Sequence, residues 1–327
     1  MISKRLFGID LANNGDLEGA EQLMVSAFND GDISAMNDYG VIAERKGDYW
    51  IAKNCYQTAA ILGSGMAVVN LGNLYQYGRG VQKNHNIACM LYQRGVQLKE
   101  TRAFSKLARM LTDGENIEHD PKRALQVLLD GYEIEKKSSF DYDCAIELAC
   151  GYSFGKFGEV NLDKALEYYK VAADKGCVLA LYNGGCAYKE KGEIEKAIDC
   201  WMKAGKHGYG DAYAELHDIY WEGTDKIKQD KDMAAAFLRK AQMQNSGMAF
   251  IRTADMWLSG DWGEVNKEKA KQAIVNYFTK TTYPEDYMAF YEEIKKCHEN
   301  DLDWEEIEKS VSDDSEYETD DEELFIS

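Results

Sequence analysis

A chain of 327 residues with 45% apolar side chains and only two prolines has material for a large core and few obstacles to continuous helix. Its net charge of −19 argues against a surface built to neutralise phosphates, so neither nucleic acid nor an anionic membrane is expected as a partner. The most apolar stretch, Ala59 to Leu74, is interrupted by Gly63, Ser64, Gly65 and Asn70, and the run Leu6 to Ile9 stops at Asp10. No membrane span or signal peptide is predicted, and a cytoplasmic protein is expected.

In chain order, one skeleton recurs eight times. Its copies open at Ser3, Ala35, Ala67, Ala103, Cys144, Ala180, Ala212 and Ala249. Five residues on stands a small residue (Gly8, Gly40, Gly72, Ala108, Ala149, Gly185 and Ala254), with His217 the exception. A bulky residue usually follows three further on, such as Tyr75, Leu111, Tyr152, Tyr188, Tyr220 or Trp257. A second alanine then falls at Ala20, Ala52, Ala88, Ala124, Ala165, Ala197, Ala234 and Ala270, trailed by pairs such as Cys55/Tyr56, Leu91/Tyr92 and Cys200/Trp201. These are helical spacings, and each copy predicts two antiparallel helices. Four residues before the second alanine stands an N-capping type, Asp16, Asp48, Asn84, Asp120, Asn161, Asp230 or Asn266, with Glu193 the weaker exception.

From reference residue to second alanine the gap is 17 in the copies at Ser3, Ala35 and Ala180, 21 in four others and 22 from Ala212. From second alanine to the next copy it is 15 in six cases and 20 between Ala124 and Cys144, which places a five-residue insertion within Glu133 to Asp143. The insertion is expected to bend the stack locally, as a partner-specific feature or a tolerated loop. Periods of 32 to 41 residues mark a solenoid in which each unit hides its apolar face only against its neighbours. The predicted fold is all-α, an α/α superhelix of about eight repeats over residues 1–300, closed by capping helices at about 267–300. An acidic tail spans 301–327 and is expected to be disordered from about 310.

Ala67 to Val81 (AVVNLGNLYQYGRGV) and Val160 to Ala173 (VNLDKALEYYKVAA) resemble the Sel-one-like repeat, whereas shorter copies such as Gly47-Asp48 to Ala52 resemble the related tetratricopeptide repeat. The resemblance runs from about Ser3 to Lys280. It implies a right-handed superhelix whose concave groove binds proteins, lined by first-helix residues at offsets −1, +2, +6, +9 and +10 from the reference position. Carried over, these offsets select Met66, Val69, Asn73, Gln76 and Tyr77, then Arg102, Ser105, Arg109, Thr112 and Asp113. Further on they select Leu179, Tyr182, Lys189, Asp211, Asp218, Trp221 and Asp255. With Lys106, the arginines Arg102 and Arg109 form the densest basic surface expected, suited to an acidic or C-terminal peptide with Tyr77 nearby.

Eight cysteines invite a disulfide reading that their spacing opposes. Cys144 and Cys150 fall on different faces of one helix, Cys55 and Cys200 are four repeats apart, and no Cys-x-x-Cys occurs. Buried, reduced thiols are expected, with no metal and no cofactor. His85, His119, His207 and His298 sit in no catalytic pattern; His217 is read as a local helix adjustment or as a polar notch in the groove wall.

Residues 301–327 hold thirteen acidic residues against Lys309, yet end in Leu324, Phe325 and Ile326, which suits a short linear motif. The expected function is a non-enzymatic protein- or peptide-binding scaffold or adaptor. Two alternatives stand beside it. One is a self-assembling subunit whose tail is an intra- or intermolecular ligand. The other is a β-lactam-binding or hydrolysing enzyme, implied by cysteine-rich relatives whose paired cysteines this chain lacks.

Overall fold

The computed structural model describes residues 3–113 and 119–314, and every regular element among them is helical. The chain divides into two compact units, Met1–Gly176 and Cys177–Ser327.

The first unit holds five helix pairs: α1 (Lys4–Asn13) with α2 (Leu17–Asn29), α3 (Ile33–Arg45) with α4 (Tyr49–Ile61), α5 (Gly65–Tyr77) with α6 (His85–Gln97), α7 (Thr101–Asp113) with α8 (Pro121–Glu135), and α9 (Asp143–Ser153) with α10 (Leu162–Asp174). The second unit holds α11 (Val178–Glu190) with α12 (Ile194–Lys206), α13 (Gly210–Glu222) with α14 (Lys231–Met243) and α15 (Gly247–Ser259) with α16 (Lys267–Lys280). A 3₁₀ turn, Pro284–Tyr287, leads into α17 (Met288–Cys297), and α18 (Trp304–Asp314) follows.

The predicted caps hold at most second-helix starts. Side chains of Asp16, Asn84, Asp120, Asn161, Asp230 and Asn266 each accept from a first-turn amide. Asp48 stands at the N-cap but makes no such bond. Glu193 does not either, its carboxylate being held by Lys191 at 3.3 Å and Lys196 at 2.5 Å.

The recurring small residue is explained by what faces it. A Cβ on Gly40 would lie 2.5 Å from the ring of Tyr56, on Gly72 2.5 Å from Tyr92, on Gly185 2.5 Å from Trp201, and on Gly8 2.9 Å from Met24. Each facing residue lies four beyond its second alanine and is 0% exposed. A second helix thus lays one large side chain across its partner's backbone, which a bare glycine admits. At the same offset, the copies with Ala108 and Ala254 carry the smaller Leu128 and Ile274, while the copy with Ala149 keeps a tyrosine, Tyr169.

His217 departs from this scheme. It is 3% exposed, its Nδ1 lies 3.1 Å from the carbonyl of Ala234, and burial pushes its pKa down, so its ring is packed inward and is not a notch in a groove wall.

The turn between pairs needs a left-handed residue eleven beyond the second alanine. Gly31, Gly63, Gly176 and Gly208 supply it with φ of 95–98°, or 93° at Gly208, while Lys99 and Asn245 adopt φ of 61° and 56° without glycine's freedom. The same offset in the fourth copy is Glu135, and there α8 runs on to 15 residues against the prevailing 13. Part of the five-residue insertion is therefore extra helix, and the rest forms the connection 136–142.

The expected boundary at residue 300 falls inside the second unit's packed body. Trp304 and Ile307, 5% and 1% exposed, enter a cluster with Ile274, Tyr277 and Tyr291, and Trp304 Nε1 donates to the carbonyl of His298 at 3.0 Å. The acidity averaged over 301–327 concealed two apolar residues spaced for one helix face. Residues 315–327, which include the apolar end of the expected tail motif, lie outside the described residues.

None of the eight cysteines is in a disulfide; Cys55, Cys89, Cys144 and Cys177 are buried, but Cys297 is exposed, unlike the expectation.

Candidate functional site

In the first unit, the groove positions divide into buried and accessible sets. Val69 and Ser105 are core residues, 1% and 6% exposed, and do not line a surface. Met66 and Asn73 are half-buried and Tyr77 is 49% exposed, with the Arg79 guanidinium 5.4 Å above its ring. The Tyr92 hydroxyl, reaching past Gly72 from the second helix, lies 2.8 Å from Asn73 Oδ1 and 2.7 Å from Gln76 Oε1 and so sets both amides.

The expected basic surface is matched by carboxylates. Arg109 is ion-paired with Glu147 of α9, Arg102 lies 3.7 Å from Glu100, and Lys156 pairs with Asp113 at 3.2 Å. Asp143 stands in the field of both Arg102 and Lys106, its own pKa raised chiefly by burial. An acidic peptide reaching Arg109 competes with Glu147 for its guanidinium.

In the second unit, successive first helices converge on a cleft of about 420 Å³. Tyr182 comes from α11, Asp211 from α13, Met248 and Arg252 from α15, and Tyr209 from the turn before α13. The far wall is Asp286, Tyr287, Ala289 and Phe290. Tyr182 and Tyr209 stand with ring centroids 4.8 Å apart at 37°. Asp211 is 8% exposed and accepts from Ser246 Oγ and Tyr287 Oη, both at 2.5 Å. Burial, reinforced by Asp211, pushes the Tyr209 phenol up to about 12.

Asp218 and Trp221, also expected in the groove, stand farther along α13 and do not line the cleft. Asp218 pairs with Arg252 at 2.5 Å, and the Arg252 guanidinium lies 5.2 Å above the Phe290 ring. Trp221 stacks on His217 at 5.6 Å and carries Lys231 over its ring at 4.5 Å. Burial, with Glu215 and Glu222 adding to it and Arg252 opposing, pushes the Asp218 carboxyl up to about 7.

The folded chain holds the Asp218 proton more tightly than the unfolded chain, where an aspartate titrates near about 3.9. Its contribution is therefore present below pH ~4 and lost as pH rises through about 7. The melting temperature of the wild-type chain relative to Asp218→Asn is expected to fall between pH 5 and pH 8; a constant difference refutes the assignment.

Met248 was reachable from sequence, since it holds the −1 offset of its copy. Asp286, Tyr287 and Phe290 were not, because their segment carries no second alanine and its pattern predicts only a cap. Among the described residues, no grouping of His, Cys, Asp and Glu is arranged to hold a metal ion. No helix among them is long and apolar enough to cross a membrane.

Known proteins show the same repeat. Residues 65–99, 105–126, 143–177 and 211–246 match the Sel1 repeat. These are four of the five copies with the longer internal gap, those that begin at Ala67, Ala103, Cys144 and Ala212. An F-box protein of Arabidopsis thaliana is 40% identical over 58 residues, which cover 17% of this chain and 16% of that protein. The c5321 protein, a protective antigen of uropathogenic Escherichia coli displaying an SLR fold, is similar in structure with a TM-score of 0.65. It is 20% identical, over 95% of this chain and 67% of that one. A Sel1 repeat protein of Oxalobacter formigenes has a TM-score of 0.59 at 24% identity, over 72% of this chain and 98% of its own.

Paired helices repeated along the chain define an α/α repeat protein of the solenoid class. Four stretches of the chain match the Sel1 repeat, and its fold is similar to those of SLR and Sel1 repeat solenoids.

Proposed function

We propose that this chain is a non-enzymatic protein- or peptide-binding scaffold that works through the side chains of its first helices. The surface comprises Met66, Asn73, Tyr77, Arg102 and Arg109 in the first unit, and Tyr182, with Asp218 and Trp221 at its margin, in the second. One observation carries the reading. The cleft of about 420 Å³ is built by three successive first helices, and Tyr182, Asp211 and Met248 hold offsets at which related repeats present their grooves. A concave, aromatic-lined opening of this size is a common form of recognition site.

The test places a photo-crosslinking residue at Tyr77 or Tyr182 on first helices, and at Met90 or Met243 on second helices, where 68% and 84% exposure ensures access. In extract of the native host, saturable crosslinks to the same protein are expected at the first-helix positions and not at the second-helix ones. Equal labelling at all four positions refutes the scaffold reading.

A further inference from the structure

The second unit's cleft has a specific charge balance. Arg252 lines the cleft, pairing through one terminal nitrogen with Asp218 at 2.5 Å while its buried Nε has no hydrogen-bond partner among the described residues; Lys189, outside the lining, pairs with Glu215 at 2.9 Å. Two carboxylates at the cleft have no cationic partner among the described residues. Asp211 is more than nine-tenths buried and is held only by the hydroxyls of Ser246 and Tyr287, while Asp286 is exposed at the rim. Asp211 lies in the first turn of α13, where the helix dipole complements part of its charge, but no side-chain cation among the described residues neutralises it. Around it stand the rings of Tyr182, Tyr209 and Tyr287, whose faces attract cations.

We propose that this cleft binds a basic peptide segment, taking an arginine or lysine side chain against the tyrosine rings and towards Asp211 and Asp286. The inference rests on the scaffold reading and adds the chemistry of the partner. It points away from this chain's own end as the occupant, since residues 310–327 are strongly acidic and share the cleft's sign of charge. Phe290 and Met248 supply apolar wall for the residues flanking the cation.

The probe is a fluorescein-labelled hexa-arginine peptide, with hexa-glutamate as its counterpart, titrated against the full chain by fluorescence anisotropy. Tyr209→Leu keeps the net charge and removes one ring. Asp286→Lys and Glu264→Lys make the same charge change, the first at the cleft rim and the second at an exposed connection elsewhere in the unit. Tyr209→Leu and Asp286→Lys are each expected to weaken hexa-arginine binding about tenfold, and Glu264→Lys less than about twofold. Hexa-glutamate is expected not to bind.

Equal losses for Asp286→Lys and Glu264→Lys show attraction to diffuse charge and overturn the proposal. Undiminished binding by a folded Tyr209→Leu chain does the same. If Tyr209→Leu fails to fold by circular dichroism, the two exposed charge variants decide alone. Crosslinks confined to first helices, together with hexa-arginine binding indifferent to the cleft, sink this inference and leave the scaffold reading standing.

Discussion

Replacing Trp201 by alanine is expected to destabilise the chain by about 3–5 kcal/mol, the range for removing a large buried aromatic. Trp201 is 0% exposed and lies in a cluster with Ala212, Leu216 and Leu238. Its Nε1 donates to the carbonyl of Tyr182 at 3.2 Å, which pins the indole across Gly185. The same contact makes Gly185→Ala costly, by about 1–3 kcal/mol, because the new methyl group meets a ring tied at its polar edge. Combining Gly185→Ala with Trp201→Leu recreates the pairing of Ala108 with Leu128 found in the fourth copy. The Gly185→Ala penalty is therefore expected to disappear in the Trp201→Leu background. Urea denaturation of the four chains forms a double-mutant cycle, and additive losses within about 0.5 kcal/mol contradict the proposed complementarity.

That cycle also shows what made the fold legible. The alternation of small and large residues is imposed by close contact of two backbones, so it survives in sequence as a fixed spacing that composition cannot imitate. Capping by Asp16, Asn84 or Asp230 is local and equally readable, because the acceptor sits within three residues of its donor.

The site was less legible. Offsets carried from related repeats place a residue on the correct side of a helix but do not say which neighbour covers it. Val69 falls at a groove offset and is buried, facing Gly95 from a cluster that includes Ala103. Arg102 and Arg109 formed a basic surface in sequence because their partners, Glu100 and Glu147, hold no selected offset. Tyr209 lies just before its helix, and Tyr287 and Phe290 come from a terminal segment whose spacing departs from the other copies. That degenerate segment supplies the far wall of the cleft, and the bond from Tyr287 to Asp211 joins residues 76 positions apart.

The second large effect is expected at Glu135, where the repeat is interrupted. Helix α9 begins without a local cap: Tyr142 stands at the N-cap position and makes no side-chain hydrogen bond. Glu135, at the end of α8, takes over that role from nine residues upstream, its carboxylate accepting from the amides of Cys144 at 2.5 Å and Ala145 at 3.1 Å. These are first-turn amides of the kind an N-cap side chain satisfies, and a negative charge there also complements the helix dipole. Lys175 secures the arrangement, donating to the carbonyls of Glu135 at 2.9 Å and Asp141 at 2.6 Å. Glu135 is 0% exposed, so Glu135→Ala leaves two enclosed amides without acceptors, and a loss of about 2–5 kcal/mol is expected. Glu135→Gln keeps one carbonyl acceptor but turns an amide donor towards the same two donors, and about 1–3 kcal/mol is expected. Glu133→Ala, which removes only a largely exposed pair with Lys136, is expected to stay within about 0.5 kcal/mol. Hydrogen exchange supplies the decisive reading: in Glu135→Gln the Cys144 and Ala145 amides should lose protection before those in the middle of α9. Uniform loss along the helix instead assigns Glu135 to general packing and removes it as the cap that lets the array continue past its insertion.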